Sequence, residues 1–511
     1  MDTTDMTGNE SSWQPGNVNP WLIAVAVMLA ATMEVLDTSV ANVALPQIAG
    51  NFSATPQEGT WVLTSYIVSN AIILPASAWF AGLLGRKRAL LISIALFTVS
   101  SVLCGFSQSL GQLILFRILQ GVGGGSLQPF SQAILMESFP KEKRTAAMAV
   151  FGIGVIVSPI VGPIMGGWIT DNLSWRWIFF INVPVGLAAF LMTKVFVEDP
   201  HYIRRITAGL DYYGFAFMAV GLGALQVILD KGQQVDWFEA SWIRWASLLV
   251  VVALFAFFIR ELRTKHPVVE LKVLKDRNLV GGMVLAFMIG GILYGTMALM
   301  PLFYQTMMGY TPLLSGIILL PLGTGALFGT MLVAGLSRYV DNRIFMLLGL
   351  VLIGLGGFRL GTIDLKIAIN SMIIPLFVVG IGTTAVFIPL SVTALGTLAV
   401  KDMGNGSGLF NLARNIGGSF GIAITTTILA RMAQVHQTAL VGNLTPFNPV
   451  YQQITRLYPG AQMLMYQELL QQSALLSYVD CFHFYGVLAF LCIAVIVVFR
   501  KIDSKGSLLV H

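Results

Sequence analysis

Charge is scarce in this chain of 511 residues: Lys, Arg, Asp and Glu make up 11% of it, against roughly 25% in an ordinary soluble domain. With 56% hydrophobic residues, that deficit excludes a water-soluble fold. Cysteine is scarcer still. Cys104, Cys481 and Cys492 are the only three, and they lie in or beside apolar runs, where they support neither a disulfide framework nor a thiolate metal site. The net charge of +6 is not gathered into a basic face with aromatics between the cations, so no nucleic-acid partner is expected. The sequence has no Gly-x-x-x-x-Gly-Lys-Ser/Thr loop to cradle a nucleotide phosphate and no His/Cys/carboxylate set with metal-ligand spacing. An enzyme, an ATP-driven pump, a metal centre and a bound cofactor are therefore not expected.

What abounds is long apolar runs. A bilayer core of ~30 Å is crossed by ~20 helical residues, and fourteen runs of about that length can be drawn: 21–46, 59–83, 88–107, 111–136, 145–170, 176–197, 210–229, 242–262, 279–305, 313–336, 343–362, 368–395, 406–432 and 476–499. The first run is too long for a cleaved signal peptide and is read as a retained span. Of 30 Lys+Arg, 21 fall in the even-to-odd loops or the C-terminal tail and 7 in the opposite loops, which puts both termini in the cytoplasm.

Spans 2 and 10 end alike, in Gly82-Leu-Leu-Gly85-Arg86-Lys87-Arg88 and Gly335-Leu-Ser-Arg338-Tyr-Val-Asp-Asn-Arg343, each at the same point of a six-span block. The expected organisation is a cytoplasmic tail (1–20), a six-helix bundle (21–197), a linker with two inserted spans (198–278), a second six-helix bundle (279–499) carrying a periplasmic segment (433–475), and a cytoplasmic tail (500–511). An all-α membrane protein of this kind, two similar bundles around a midplane cavity, works by rocking between inward-open and outward-open states.

Ionisable residues inside spans are costly and mark candidate sites. Glu34 and Asp37, three residues apart, share a face of span 1, and two neighbouring carboxyls in low dielectric resist simultaneous ionisation. Arg117 in span 4 offers a counter-charge. Trp21 to Asp37 is ~24 Å of helical rise and Gly111 to Arg117 ~9 Å in the opposite direction, so the two charges lie at nearly one depth if spans 1 and 4 are neighbours. The alternatives stay open that the acids line a wet crevice and that Arg117 bonds backbone carbonyls or snorkels outward. In span 5, Gly154-Val-Ile-Val-Ser158-Pro159-Ile-Val-Gly162-Pro163-Ile-Met-Gly166-Gly167 predicts a bent, closely packed gate helix, with ordinary membrane-helix packing as the alternative.

These residues resemble the major facilitator superfamily, and within it the fourteen-span drug/proton antiporters typified by EmrB and QacA. Leu36-Asp37-Thr38-Ser39-Val40-Ala41-Asn42 is similar to the family's first-span motif, Leu115-Phe-Arg117-Ile-Leu-Gln120-Gly121 to its fourth-span motif, and Gly162-Pro163-Ile-Met-Gly166-Gly167 to its fifth-span antiport motif. Gly85-Arg86-Lys87 fits the cytoplasmic loop motif, but Gly82 stands where the family usually has Asp, which leaves the usual charge lock between the bundles without its acid. Leu225-Gln226-Val-Ile-Leu229-Asp230-Lys231-Gly232, Asp236-Trp237-Phe238 and Pro446-Phe447-Asn448-Pro449 are closer to the EmrB-like members, as is Phe410-Asn411-Leu-Ala-Arg414-Asn415 in span 13.

The resemblance implies a multi-pass protein of the bacterial inner membrane that exports hydrophobic or cationic drug-like compounds in exchange for protons. The proton gradient drives it without a cofactor, and a periplasmic adaptor and an outer-membrane channel are its partners. It implies proton coupling at Asp37, Glu34 and Arg117, and a substrate cavity drawn from Glu34, Asn42, Asn411, Arg414 and Asn415. Export of a fatty acid or siderophore, import, and a non-transporting receptor remain open.

Overall fold

A computed structural model describes residues 19–198, 211–264, 267–337, 339–365, 369–399, 402–458 and 461–499. The tails expected at 1–20 and 500–511 fall outside the described residues except for Asn19 and Pro20, as do most of the cytoplasmic stretch 198–209 and Arg338 of the repeat signature. Among the described residues every regular element is helical, and thirteen helices are long and apolar enough to cross a membrane.

The fourteenth expected span is present but broken. Span 4 runs as Leu110–Gly124 and then Leu127–Ser138, with Pro129, which has no amide hydrogen to donate to Gly125 O, in the first turn of the second half. The other spans are span 1 (Pro20–Asn51), span 2 (Trp61–Leu84), span 3 (Arg86–Gly105), span 5 (Arg144–Asn172), span 6 (Trp177–Phe196), span 7 (Tyr212–Lys231) and span 8 (Ser241–Arg263). Span 9 (Arg277–Thr306), span 10 (Leu313–Leu336), span 11 (Asn342–Leu360), span 12 (Ile369–Leu395), span 13 (Met403–Val441) and span 14 (Ala461–Ile496) complete the set.

The repeat glimpsed in the loops extends to the packing. In the first bundle span 1 packs on spans 5 and 6, span 4 on spans 2 and 3, and span 3 on span 6; in the second bundle span 9 packs on spans 13 and 14, span 12 on spans 10 and 11, and span 11 on span 14. The interface between bundles has the same symmetry, since spans 5 and 10 correspond to spans 13 and 2, and spans 5 and 12 to spans 13 and 4. On the cytoplasmic side the closure is tight: a methyl group on Gly404 would sit 3.4 Å from Ala78 Cβ, one on Gly408 would sit 3.0 Å from Leu74 O, and one on Gly152 would sit 3.4 Å from Ile388. Ser407 Oγ donates to Pro129 O (3.1 Å) in the same region.

The inserted spans pack on each other, and span 7 reaches both bundles. Asp230 accepts from Thr64 Oγ1 (2.5 Å) and Lys231 donates to Thr60 Oγ1, both on span 2 or its cap, while Gln226 accepts from Ser419 Oγ (2.7 Å) and Trp237 Nε1 donates to Thr427 Oγ1 (3.1 Å) on span 13. At the cytoplasmic end Asp211 caps span 7 through the Gly214 amide (3.0 Å) and accepts from Arg260 Nε (3.0 and 3.1 Å) and Thr264 Oγ1 (3.1 Å). Burial pushes the Asp211 carboxyl up, but these donors and the Arg260 charge outweigh it and hold the group below the usual carboxylate range.

Candidate functional site

Asp37 is 1% exposed and Arg117 fully buried, so each needs partners that replace water. Arg117 Nη1 donates to Asp37 Oδ2 at 2.5 Å and to Gln120 Oε1 at 2.8 Å, and its Nε donates to Val62 O at 3.1 Å. The guanidinium lies 4.3 Å from the centre of the Tyr66 ring. Asp37 Oδ1 accepts from Gln120 Nε2 (2.9 Å) and from Asn182 Nδ2 (2.7 Å), and Asn182 is in turn hydrogen-bonded to Ser101 Oγ (3.0 Å). The carboxylate is thereby fixed from spans 4 and 6.

Backbone approach makes this possible. A methyl group on Gly121 would fall 2.0 Å from Ser69 Oγ and 2.5 Å from Tyr66 O, and one on Gly125 would fall 2.6 Å from Asn70 O. Span 4 therefore lies against span 2 with no room for a side chain between them, and Arg117 reaches Val62 O and the Tyr66 ring on it.

Glu34 forms a second cluster. The two acids share a face but not partners, because one helical turn of separation still rotates them apart by ~60°. Glu34 Oε1 accepts from Asn70 Nδ2 (3.0 Å) and Oε2 from Gln128 Nε2 (2.5 Å). Gln128 Oε1 accepts from Arg414 Nη2, Asn415 Nδ2 donates to Asn70 Oδ1 (3.5 Å), and Asn411 Nδ2 donates to Gln132 Oε1 (2.7 Å). Glu34, Asn411, Arg414 and Asn415 are thus brought together across the bundle interface. Asn42 is not: it is exposed, since five residues beyond Asp37 it faces ~140° away from it.

The antiport-motif glycines divide. Methyl groups on Gly162 and Gly166 would meet span 1 of the same bundle, 2.4 Å from Ser39 Oγ and 3.1 Å from Val40 O, whereas one on Gly167 would meet span 10 of the other bundle, 3.4 Å from Leu313 N. Pro163 cannot donate to Pro159 O, and Ser39 Oγ does so instead (3.1 Å). Gly162 and Gly166 therefore set the spacing of spans 1 and 5, and only Gly167 borders the opposite bundle. In the loop motif Gly85 has φ 85°, which favours glycine, and Arg86 forms a buried ion pair with Glu137 at the end of span 4. Glu137 supplies an acid where Gly82 does not, although within one bundle.

The profile of the Major Facilitator Superfamily matches residues 27–422. The chain belongs to the major facilitator superfamily. It is 35% identical over 433 residues to Multidrug export protein EmrB of Haemophilus influenzae, covering 84% of each chain. To Fatty acid resistance protein FarB of Neisseria gonorrhoeae it is 35% identical over 453 residues, 88% of this chain and 86% of the relative. Among solved structures, the human organic anion transporter MFSD10 (TETRAN) shares the fold with a TM-score of 0.62 at 14% identity, over 93% of this chain and 99% of that one. This major facilitator is a multi-pass transporter of the bacterial inner membrane and not an enzyme.

Asn182, Asn70, Gln128 and Gln132 were not singled out from the sequence, and Gln120 stood there only as part of the fourth-span motif. Their signal is an amide facing a neighbouring span, and it becomes visible only once helix neighbours are known.

Proposed function

We propose that this major facilitator is a proton-coupled antiporter that exports hydrophobic, often cationic, compounds by alternating access, with the proton gradient in place of any cofactor. The observation that carries the reading is the buried Arg117–Asp37 pair (2.5 Å) in a chain 35% identical to a multidrug export protein. Asp37 binds the inward-moving proton and Arg117 competes for its charged form. Glu34, one turn away, binds a proton in competition with a cationic cargo, so the two ligands couple because each disfavours the other. The exported compound passes to a periplasmic adaptor and an outer-membrane channel. Likeness to a fatty acid resistance protein favours a second cargo class, because Arg414, buried at the bundle interface with its Nε unpartnered, would pair with a carboxylate.

Everted vesicles test this. On addition of a lipophilic cation or a long-chain fatty acid, wild-type vesicles should release preloaded protons. Asp37→Asn should abolish that release, and Glu34→Gln should change the preference between cationic and neutral compounds. Removing one partner of a buried pair costs about 3–5 kcal/mol, so the neutral double variant Asp37→Asn/Arg117→Gln separates folding from coupling: it should insert normally and release no protons. Wild-type release by either inserted variant removes Asp37 as the carrier.

A further inference from the structure

Glu34 is connected to the opposite bundle through two amides. Gln128 donates Nε2 to Glu34 and receives Arg414 on its Oε1; Asn70 donates Nδ2 to Glu34 and receives Asn415 on its Oδ1. A guanidinium has donors only, so Gln128 must turn its carbonyl towards Arg414 and its NH2 towards Glu34. Both carboxyl oxygens of Glu34 then face N–H donors. That arrangement suits a carboxylate, whereas a protonated acid would aim its O–H at one of them.

We propose that Gln128 and Asn70 are positioning residues that convert proton binding at Glu34 into release of span 13 from the first bundle. The inference rests on the antiport reading above. A hydronium ion gives its proton to one carboxylate oxygen and leaves as water, so that one O–H bond forms as another breaks. The new donor needs an acceptor, so Gln128 or Asn70 rotates its amide to present oxygen. Where Gln128 turns, its NH2 faces Arg414, donor against donor, and that cross-bundle bond is lost, whereas Asn415, an amide, answers a turn of Asn70 by presenting its own oxygen. Arg414 stands at the membrane-centre end of a row that continues through Asn411–Gln132 and Ser407–Pro129 to the Gly404–Ala78 contact at the cytoplasmic end. Losing that bond starts to open the cytoplasmic closure. Antiport requires this direction, since the protonated carrier is the one that must return to face the cytoplasm.

The charged and titratable groups facing Glu34 are Asp37 on its own helix, Tyr66 on span 2 and Arg414 on span 13, while Arg117 on span 4 faces Asp37 and the Tyr66 ring. Spans 5 and 6 present the non-titrating Ser158 and Asn182 to span 1.

The full chain in liposomes, spin-labelled at Leu84→Cys and Ala399→Cys, provides the test by electron–electron distance measurement. Both positions are exposed at the cytoplasmic ends of opposite bundles, and Cys104, Cys481 and Cys492 are buried. Lowering the pH should move wild type towards the longer distance, with the closed-to-open ratio falling about tenfold, the effect of one lost charge-assisted hydrogen bond. Glu34→Gln should show the longer distance at every pH, Gln128→Leu should lose the pH response, and Asp37→Asn should keep it. A wild-type distance indifferent to pH, a Glu34→Gln protein that stays closed, or a Gln128→Leu protein that responds like wild type overturns the latch. Wild-type vesicles that release no protons on addition of substrate would instead overturn the antiport reading, so the two failures are distinguishable.

Discussion

At Asp37 one carboxylate holds together three spans, 1, 4 and 6, that hydrophobic packing alone would leave free to slide. Its Oδ2 takes Arg117 and its Oδ1 takes Gln120 and Asn182, while Arg117 also reaches Val62 O on span 2. The guanidinium serves three acceptors from a rigid plane, which a lysine ammonium cannot reproduce from one point. Arg117→Lys should therefore keep the charge yet lower proton-coupled transport at least about tenfold, with one charge-assisted hydrogen bond lost, as measured by initial rates in everted vesicles at matched protein levels. The charges in this cluster were legible in the sequence because Glu34, Asp37 and Arg117 interrupt apolar runs where charge is costly. The amides that complete it were not. Gln and Asn occur on lipid-remote faces for many reasons, and nothing in a single helix's pattern says that Gln120 and Asn182 converge on the same oxygen.

Spans 1 and 5 show how an element is tuned by what it lacks. Gly154, Gly162 and Gly166 let the helices approach until a methyl group would collide with Thr32, Ser39 and Val40, and Ser39 takes over the carbonyl that Pro163 leaves unbonded. Gly162→Val should push span 1 off span 5, displace Asp37 from Arg117, and lower both thermal stability and transport. Gly167→Ala, whose added carbon would lie 3.4 Å from Leu313 N, should be tolerated within span 5 and slow turnover without destabilising the protein. Melting curves in detergent beside vesicle transport rates separate the two, and equal melting temperatures for Gly162→Val and wild type would show that span 1 is not held by this contact. The sequence read the glycines as a gate. A one-dimensional pattern records that a face is small but not which neighbour it meets, so the division between Gly162 and Gly167 emerged only from the packing.

At the scale of the whole molecule, the two bundles, the inserted pair and the span order were legible, because ~20-residue apolar runs and cation bias are strong signals. The outer segment was read as 433–475, too long for a simple connection, and its true form was only half visible. Span 13 is a helix of 39 residues and span 14 one of 36, ~58 and ~54 Å long, so both continue well beyond a ~30 Å core. Their outer turns are Gln-rich and polar, which hydropathy registers as the end of a span although the helix goes on. His436 meets Asp480 (2.7 Å) and Gln437 meets Tyr466 (3.3 Å) between them, and Pro449–Leu457 forms a short helix at the tip.

The tip exposes Phe447 (91%), with Val450, Leu457 and Tyr458 also exposed. Apolar side chains exposed at the tip suit a protein partner better than water, and the adaptor proposed above would be such a partner. Replacing 442–458 with a Gly/Ser linker removes these side chains and leaves the two long helices and the site around Asp37, ~40 Å or more below the tip by helical rise, untouched. Proton release by everted vesicles should remain at the wild-type rate, while whole-cell resistance and adaptor recovery after crosslinking should be lost. Resistance that survives the replacement would mean that the transporter delivers its cargo without an adaptor docked at this tip.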